Sequence, residues 1–242
     1  MKRIQVFVFP GLDGTGRLLE RFEATAPSNF DIHLLTLPDD PDAGYSDLVE
    51  LFSETLQSQT AANGCVVVAE SFSGPLAVLL AQRHPGVVTH LLLVSSFVSS
   101  PVPLYASWIP WRLVFRFSLP AILARRYLVG KASSEQVEQL QSVVRQCSWQ
   151  TLASRVRMVM EVDVSAEFRQ LQCQVTYIQP STDRLVKRGQ VTLIKSLNSN
   201  VVVKTVEGPH LLLQTKPLQV WECITDTVTK KIPATVSTEA GR

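Results

Sequence analysis

Short apolar runs rich in β-branched residues alternate with helix-forming stretches along most of this 242-residue chain. Strand-like runs fall at residues 4–9, 31–37, 65–69, 88–95, 174–178 and 200–206, and helical patterns at 18–24, 46–59, 74–83, 183–197 and 210–228 fill most of the gaps. The run Cys65-Val66-Val67-Val68-Ala69 has no polar residue at alternate positions, which predicts a strand covered on both faces. Strands of this kind separated by helices predict an α/β architecture, a parallel sheet with right-handed crossovers.

One gap is too long for a single crossover. Residues 97–170 read as a helix-rich insertion that begins at Pro101-Val102-Pro103, carries an apolar part at residues 108–119, and has a helix start at Ser133-Ser134-Glu135-Gln136. The remaining domain would be built from residues 1–96 and 171–228, with residues 229–242 as a polar, frayed tail.

Composition narrows the class. Hydrophobic residues make up 45% and charged residues 18%, enough for a large buried core and unlike a disordered chain. A net charge of +2 without runs of Lys or Arg gives no footprint for a nucleic-acid partner. Cys65, Cys147, Cys173 and Cys223 are widely spaced, which predicts separate reduced thiols and a cytoplasmic location. No signal-peptide pattern follows Met1-Lys2-Arg3. The most apolar stretch, residues 101–130, is cut by Arg112, Arg116, Arg125, Arg126, Pro110 and Pro120, so no membrane span is expected. His33, His84 and His90 lack metal-ligand spacing and are expected to be structural, with no metal site.

The candidate chemistry lies where strand-like runs end. Ser71 follows one such run directly and precedes a helix, with the small residues Ala69 and Ser73 two positions to either side. An ordinary turn that contains serines would look the same in this window alone. Two further positions change that: Asp183 lies in the loop after residues 174–178, and His210 in the loop after residues 200–206. Serine, aspartate and histidine in that order, each past a strand, fit one catalytic arrangement. The serine hydroxyl needs an imidazole to take its proton, and the imidazole needs a carboxylate to fix its tautomer. Asp163 is the competing carboxylate, but it sits within the insertion rather than after a strand. Glu70, just before Ser71, is read as hydrogen-bonding locally. Gly11, Gly14 and Gly16, with Asp39 and Asp40 further on, raise a dinucleotide loop as a rival. Their spacing reverses that fingerprint and no P-loop lysine follows, so no cofactor is expected.

Four segments together resemble the α/β-hydrolase family: residues 9–16 (Phe-Pro-Gly-Leu-Asp-Gly-Thr-Gly), 69–74 (Ala-Glu-Ser-Phe-Ser-Gly), 181–186 (Ser-Thr-Asp-Arg-Leu-Val) and 208–210 (Gly-Pro-His). The likeness is to small serine esterases, including methyl-ester esterases that act on carrier-protein-bound acyl chains. It implies an α/β-hydrolase fold of about six mainly parallel strands flanked by helices, with residues 97–170 as a helical cap. It further implies Ser71, Asp183 and His210 as the catalytic residues, and an oxyanion hole made by the backbone amides of Leu12 and Phe72. The chain departs from many relatives at Pro10, Ala69 and Ser73. The expected activity is hydrolysis of short to medium acyl esters through an acyl-enzyme. A thioesterase or acyltransferase with the same residues, and a catalytically silent ligand-binding protein on the same fold, are the alternatives. Trp108, Trp111 and Phe115 are candidates for the substrate pocket, although such aromatics more often serve packing. The basic lean of the insertion also admits an acidic acyl carrier protein as partner.

Overall fold

The computed structural model describes residues 3–102, 108–117 and 120–229. In chain order the elements are β1 (Ile4–Phe9), α1 (Glu20–Ala24), β2 (Phe30–Leu34), α2 (Tyr45–Gln59), β3 (Cys65–Glu70), α3 (Ser73–Arg83) and β4 (Val88–Val94). The segment between β4 and β5 holds α4 (Trp111–Arg116), α5 (Ala121–Ala124), a π-helical turn (Arg125–Val129), α6 (Ser134–Gln146), α7 (Trp149–Glu161) and α8 (Ser165–Arg169). The chain then returns through β5 (Gln174–Pro180), α9 (Gly189–Leu197), β6 (Val202–Val206), α10 (Leu212–Thr215) and α11 (Pro217–Thr229).

Among the described residues the strands form one parallel sheet in the order β2-β1-β3-β4-β5-β6. The two-residue period of each strand divides the core. Phe7, Phe9, Val67, Ala69, Leu91 and Leu93 face α2, α3 and α8 in one cluster, which includes Phe52, Leu76 and Phe168. Val6, Val8, Val66, Val68, Leu92 and Val94 face the other side, where Phe22, Trp221 and Ile224 cover them. Helices on both faces explain why every residue of β3 is buried, while the edge strand β6 buries only Val206 and shows Val202 to solvent.

Most element boundaries fall within two residues of the sequence expectation, and three differences bear on the site. β2 ends at Leu34 rather than at residue 37, because the Leu37 amide turns to donate to Gly14 O in the loop after β1 (2.7 Å). The helix expected over 183–197 starts only at Gly189, and ahead of it the Asp183 carboxylate closes a turn on the amides of Leu185 and Val186. The helix expected over 210–228 is broken before Pro217, and His210 lies outside it. The helix start expected at Ser133 forms, closed by a capping box in which Gln136 N donates to Ser133 Oγ and Ser133 N to Gln136 Oε1. The start of the insertion at Pro103, part of its apolar stretch, and the tail beyond Thr229 lie outside the described residues.

Candidate active site

β3 ends at Glu70 and α3 begins at Ser73, so Ser71 and Phe72 alone make the turn. Ser71 takes φ 51°, the left-handed region, at a cost of about 1 kcal/mol or more for a residue with a Cβ. Its surroundings hold it there. Ser71 N donates to Val94 O (2.9 Å), and the Ser96 hydroxyl donates to Ser71 O (2.6 Å). A Cβ on Gly74 would collide with the Ser96 side chain, so α3 approaches β4 this closely only with glycine there. Ser73 is fully buried and donates its hydroxyl to Pro10 O (2.5 Å), which ties the turn to the loop after β1.

The three sequence candidates meet. Ser71 Oγ lies 2.9 Å from His210 Nε2, and His210 Nδ1 lies 2.9 Å from Asp183 Oδ2. The Asp183 and His210 side chains are only 2% and 3% exposed, so this pair is shielded from bulk water and fixed in orientation. The other Asp183 oxygen, Oδ1, accepts the amides of Leu185 (2.8 Å) and Val186 (3.0 Å). The loops that carry Asp183 and His210 are joined as well, since Thr182 donates to Gly208 O through both its amide (3.1 Å) and its hydroxyl (2.8 Å). Asp163 is elsewhere: it pairs with Ser99 in an isolated bridge and accepts from Ser165 N. His84 bonds Ser53 Oγ (2.8 Å), and His33 stacks on Phe7. Asp39 accepts from Ser148 N, while Asp40 closes its own turn on Asp42 N.

Phe72 follows Ser71 directly, and Leu12 lies in the loop after β1 that Ser73 ties to the turn; among the described residues neither amide takes a hydrogen-bond partner. Sequence reading missed what holds them. Arg155, on α7, is only 4% exposed, and its guanidinium donates to the carbonyls of Leu12, Asp13 and Pro38, each at 2.8 Å. It also lies 5.8 Å from the centre of the Phe72 ring. The space is available because residue 14 is glycine, where a Cβ would strike the guanidinium. Burial opposes the charge of Arg155, and the nearby carboxylates of Asp13 and Asp39 support it. Tyr45 completes the support, its hydroxyl donating to Phe72 O (2.9 Å) and its ring stacking on Phe72. A signal was present in the sequence: Arg155 stands between Leu152 and Val159 at helical spacing, an arginine on an apolar stripe. On the expectation from the resemblance that the Leu12 and Phe72 amides are oxyanion donors, Arg155→Met should lower kcat for an ester by roughly the 100-fold that one misplaced donor costs, with KM within about threefold. Steady-state kinetics would check this; a rise in KM at constant kcat would show that Arg155 serves ground-state binding instead.

Glu70 is fully buried, and its partners are distant in sequence rather than local. It accepts Leu213 N (3.3 Å) and Gln214 Nε2 (2.7 Å) from α10, the helix just past His210. Burial raises its pKa from 4.5 to about 7, against the lowering effects of Gln214, His210 and Leu213. The folded chain therefore holds this proton more tightly than the unfolded chain. The stability it contributes is complete below about pH 4.5 and is lost as pH rises to about 7. Glu70→Gln removes this titration. The unfolding free energy of the variant should gain on the wild type by about 3 kcal/mol between pH 4.5 and pH 8, measured by urea titration at both values. A difference independent of pH would contradict the assignment.

The expected pocket aromatics divide. Trp111 and Phe115 are partly buried on α4, their rings 6.1 Å apart, and α4 packs on α7, the helix that carries Arg155. Trp108 is 89% exposed, and an indole so open to solvent lines no closed pocket.

The comparisons with known proteins agree with this architecture. No curated protein matches the chain. Solved structures do. An enol-lactonase from Burkholderia xenovorans LB400 superposes with TM-score 0.79 at 13% identity, over 95% of this chain and 93% of that one. An esterase from Exiguobacterium antarcticum gives TM-score 0.78 at 8% identity, over 95% and 93%. A structure from a study of carboxylesterases of the thaumarchaeon Nitrososphaera gargenis gives 0.77 at 14%, over 93% and 90%. At these identities the likeness is one of fold. A sequence model described as the alpha/beta hydrolase family matches residues 6–222, nearly the whole chain. With that match and a parallel sheet that carries Ser71, Asp183 and His210 on the loops after β3, β5 and β6, the chain belongs to the alpha/beta hydrolase family.

Proposed function

We propose that the protein is a serine carboxylic-ester hydrolase that works through an acyl-enzyme. The observation that carries this reading is the hydrogen-bonded chain Ser71–His210–Asp183, at 2.9 Å and 2.9 Å, with Ser71 on a strained turn and the Leu12 and Phe72 amides unpaired among the described residues. His210 Nε2 takes the Ser71 proton as Oγ attacks the ester carbonyl, and Asp183 stabilises the imidazolium through Nδ1. The tetrahedral oxyanion is held by the amides of Leu12 and Phe72. His210 then gives its proton to the departing alkoxide, which leaves as alcohol. A water deprotonated by His210 attacks the acyl-enzyme, and the acid departs with Ser71 restored.

In this reading the segment 97–170 is a cap over the acyl site. Its seating supports this: Val129, Leu140 and Val143 of the insertion share a buried cluster with Leu18 and with Leu211, the neighbour of His210. Leu211 N also donates to Leu128 O in the insertion (3.0 Å). The substrate is a free small-molecule ester with a short to medium acyl chain, and Trp111 and Phe115 contribute to the apolar wall. Trp108 belongs to the outer face.

The test is a comparison of p-nitrophenyl butyrate, the matching acyl-thioester, and the ester with added alcohol. Faster turnover of the ester, with acid as the product, supports the hydrolase. A preference for the thioester, or transfer of the acyl group to the alcohol, would move the assignment to the thioesterase or acyltransferase alternatives. No turnover of any of the three would favour a silent binding protein.

A further inference from the structure

The outer side of the insertion has a composition that the proposed active site does not use. Among the described residues, eight of the twelve large apolar side chains left exposed lie between Trp108 and Tyr127. Trp108 is 89% exposed, Ile122 74% and Phe117 68%. Isolated apolar side chains are common on protein surfaces, but a concentration of this kind within one short segment marks an interaction surface. The charge around it has a single sign. The sequence contains no Asp or Glu between Glu70 and Glu135, whereas Arg112, Arg116, Arg125, Arg126 and Lys131 all fall in that interval.

Three residues past Ile122 in the chain, Arg125 opens the lining of a groove of about 560 Å³. Arg125, Arg126 and Lys131 of the insertion line it, together with Arg184 from the loop after β5 and Lys216 between α10 and α11. Arg125 is already committed to Ala132 O and Ser134 Oγ. The other four form no ion pair among the described residues, although Glu207 shares the lining. A groove of this charge offers several donors to the oxygens of one phosphate.

We propose that this side of the insertion docks on an anionic lipid surface, with the exposed apolar side chains entering the interface and the basic groove receiving lipid phosphate. The chemistry matches that of peripheral proteins, in which Trp, Phe and aliphatic side chains enter the headgroup region while Lys and Arg meet anionic lipid. A fluid apolar phase also accepts side chains that project irregularly from short helices such as α4 and α5, where a protein partner would need a matching surface. No helix among the described residues is long and apolar enough to cross a membrane, so attachment is to the surface. The docking claim is independent of catalysis. The substrate class it implies, a small ester of short to medium acyl chain dissolved in lipid, rests on the hydrolase reading.

Vesicle sedimentation tests it, with phosphatidylcholine alone or with about one third phosphatidylglycerol. The wild type should bind the anionic vesicles and only weakly the neutral ones. Phe117→Ser with Ile122→Ser should reduce that binding at least tenfold. Arg126→Ser with Lys131→Ser should weaken it about 25-fold, or roughly fivefold per cation. Turnover of soluble p-nitrophenyl butyrate should stay within about twofold in both variants, which also shows that they fold. Absence of binding to anionic vesicles would overturn the proposal, as would equal binding to both lipids that ignores the charge variants. So would a dimer dissolved by the Phe117 and Ile122 changes without vesicle binding, since a second copy would then cover the surface. Vesicle binding by a protein that hydrolyses no ester would uphold the docking and refute the hydrolase reading.

Discussion

Replacing Ser71 by alanine is expected to lower kcat for an ester substrate by about a millionfold, the scale on which an enzyme of this kind loses its nucleophile. The change removes one hydroxyl and its bond to His210 Nε2. The backbone bonds that hold the turn, from Ser71 N to Val94 O and from Ser96 Oγ to Ser71 O, do not involve the side chain. Alanine meets the same left-handed strain as serine at φ 51°. The variant should therefore unfold within a few degrees of the wild type, about the change that 1 kcal/mol makes in a chain of this size. Activity near the wild-type level would remove Ser71 from the mechanism. A collapse in stability together with activity would mean that the hydroxyl is structural.

Asp183→Asn should lower kcat by about four orders of magnitude while leaving the binding of a substrate analogue nearly unchanged. The reason lies in the two oxygens of Asp183. Oδ1 accepts two backbone amides, so an asparagine must place its carbonyl oxygen there and its NH2 group at the position of Oδ2. That NH2 would donate to His210 Nδ1 and force the imidazole into the tautomer with its proton on Nε2. An imidazole in that form cannot accept the Ser71 proton. Kinetics of the purified variant, with analogue binding measured by calorimetry, would check both halves of the expectation.

The residues of this site that could be read from the sequence are those whose position follows from topology. In a parallel sheet all the carboxyl ends of the strands lie along one edge, so a Ser, an Asp and a His that each follow a strand come to the same side. Ser71, Asp183 and His210 were legible for that reason. Arg155 was not, because its partners are the carbonyls of Leu12, Asp13 and Pro38, and a backbone carbonyl has no residue code. Glu70 misled for a related reason. Its place before Ser71 suggests local bonds, yet its partners lie on α10, more than 140 residues away. The helix pattern over 210–228 hid a break, because Pro217 cannot continue the helix that ends at Thr215 and opens a new one instead. Pocket aromatics were the least legible, since Trp108 and Trp111 share a residue type and differ only in what the fold lays over them.

The most direct test of the central claim is mass spectrometry after treatment with a fluorophosphonate, which forms a covalent adduct with an activated serine. One equivalent should add to the intact protein, and tandem spectra should place it on Ser71. The Ser71→Ala protein should take no label, and the Asp183→Asn protein should react far more slowly than the wild type. Labelling at any other residue, or an unlabelled protein that still turns over esters, would contradict the assignment of Ser71 as the nucleophile.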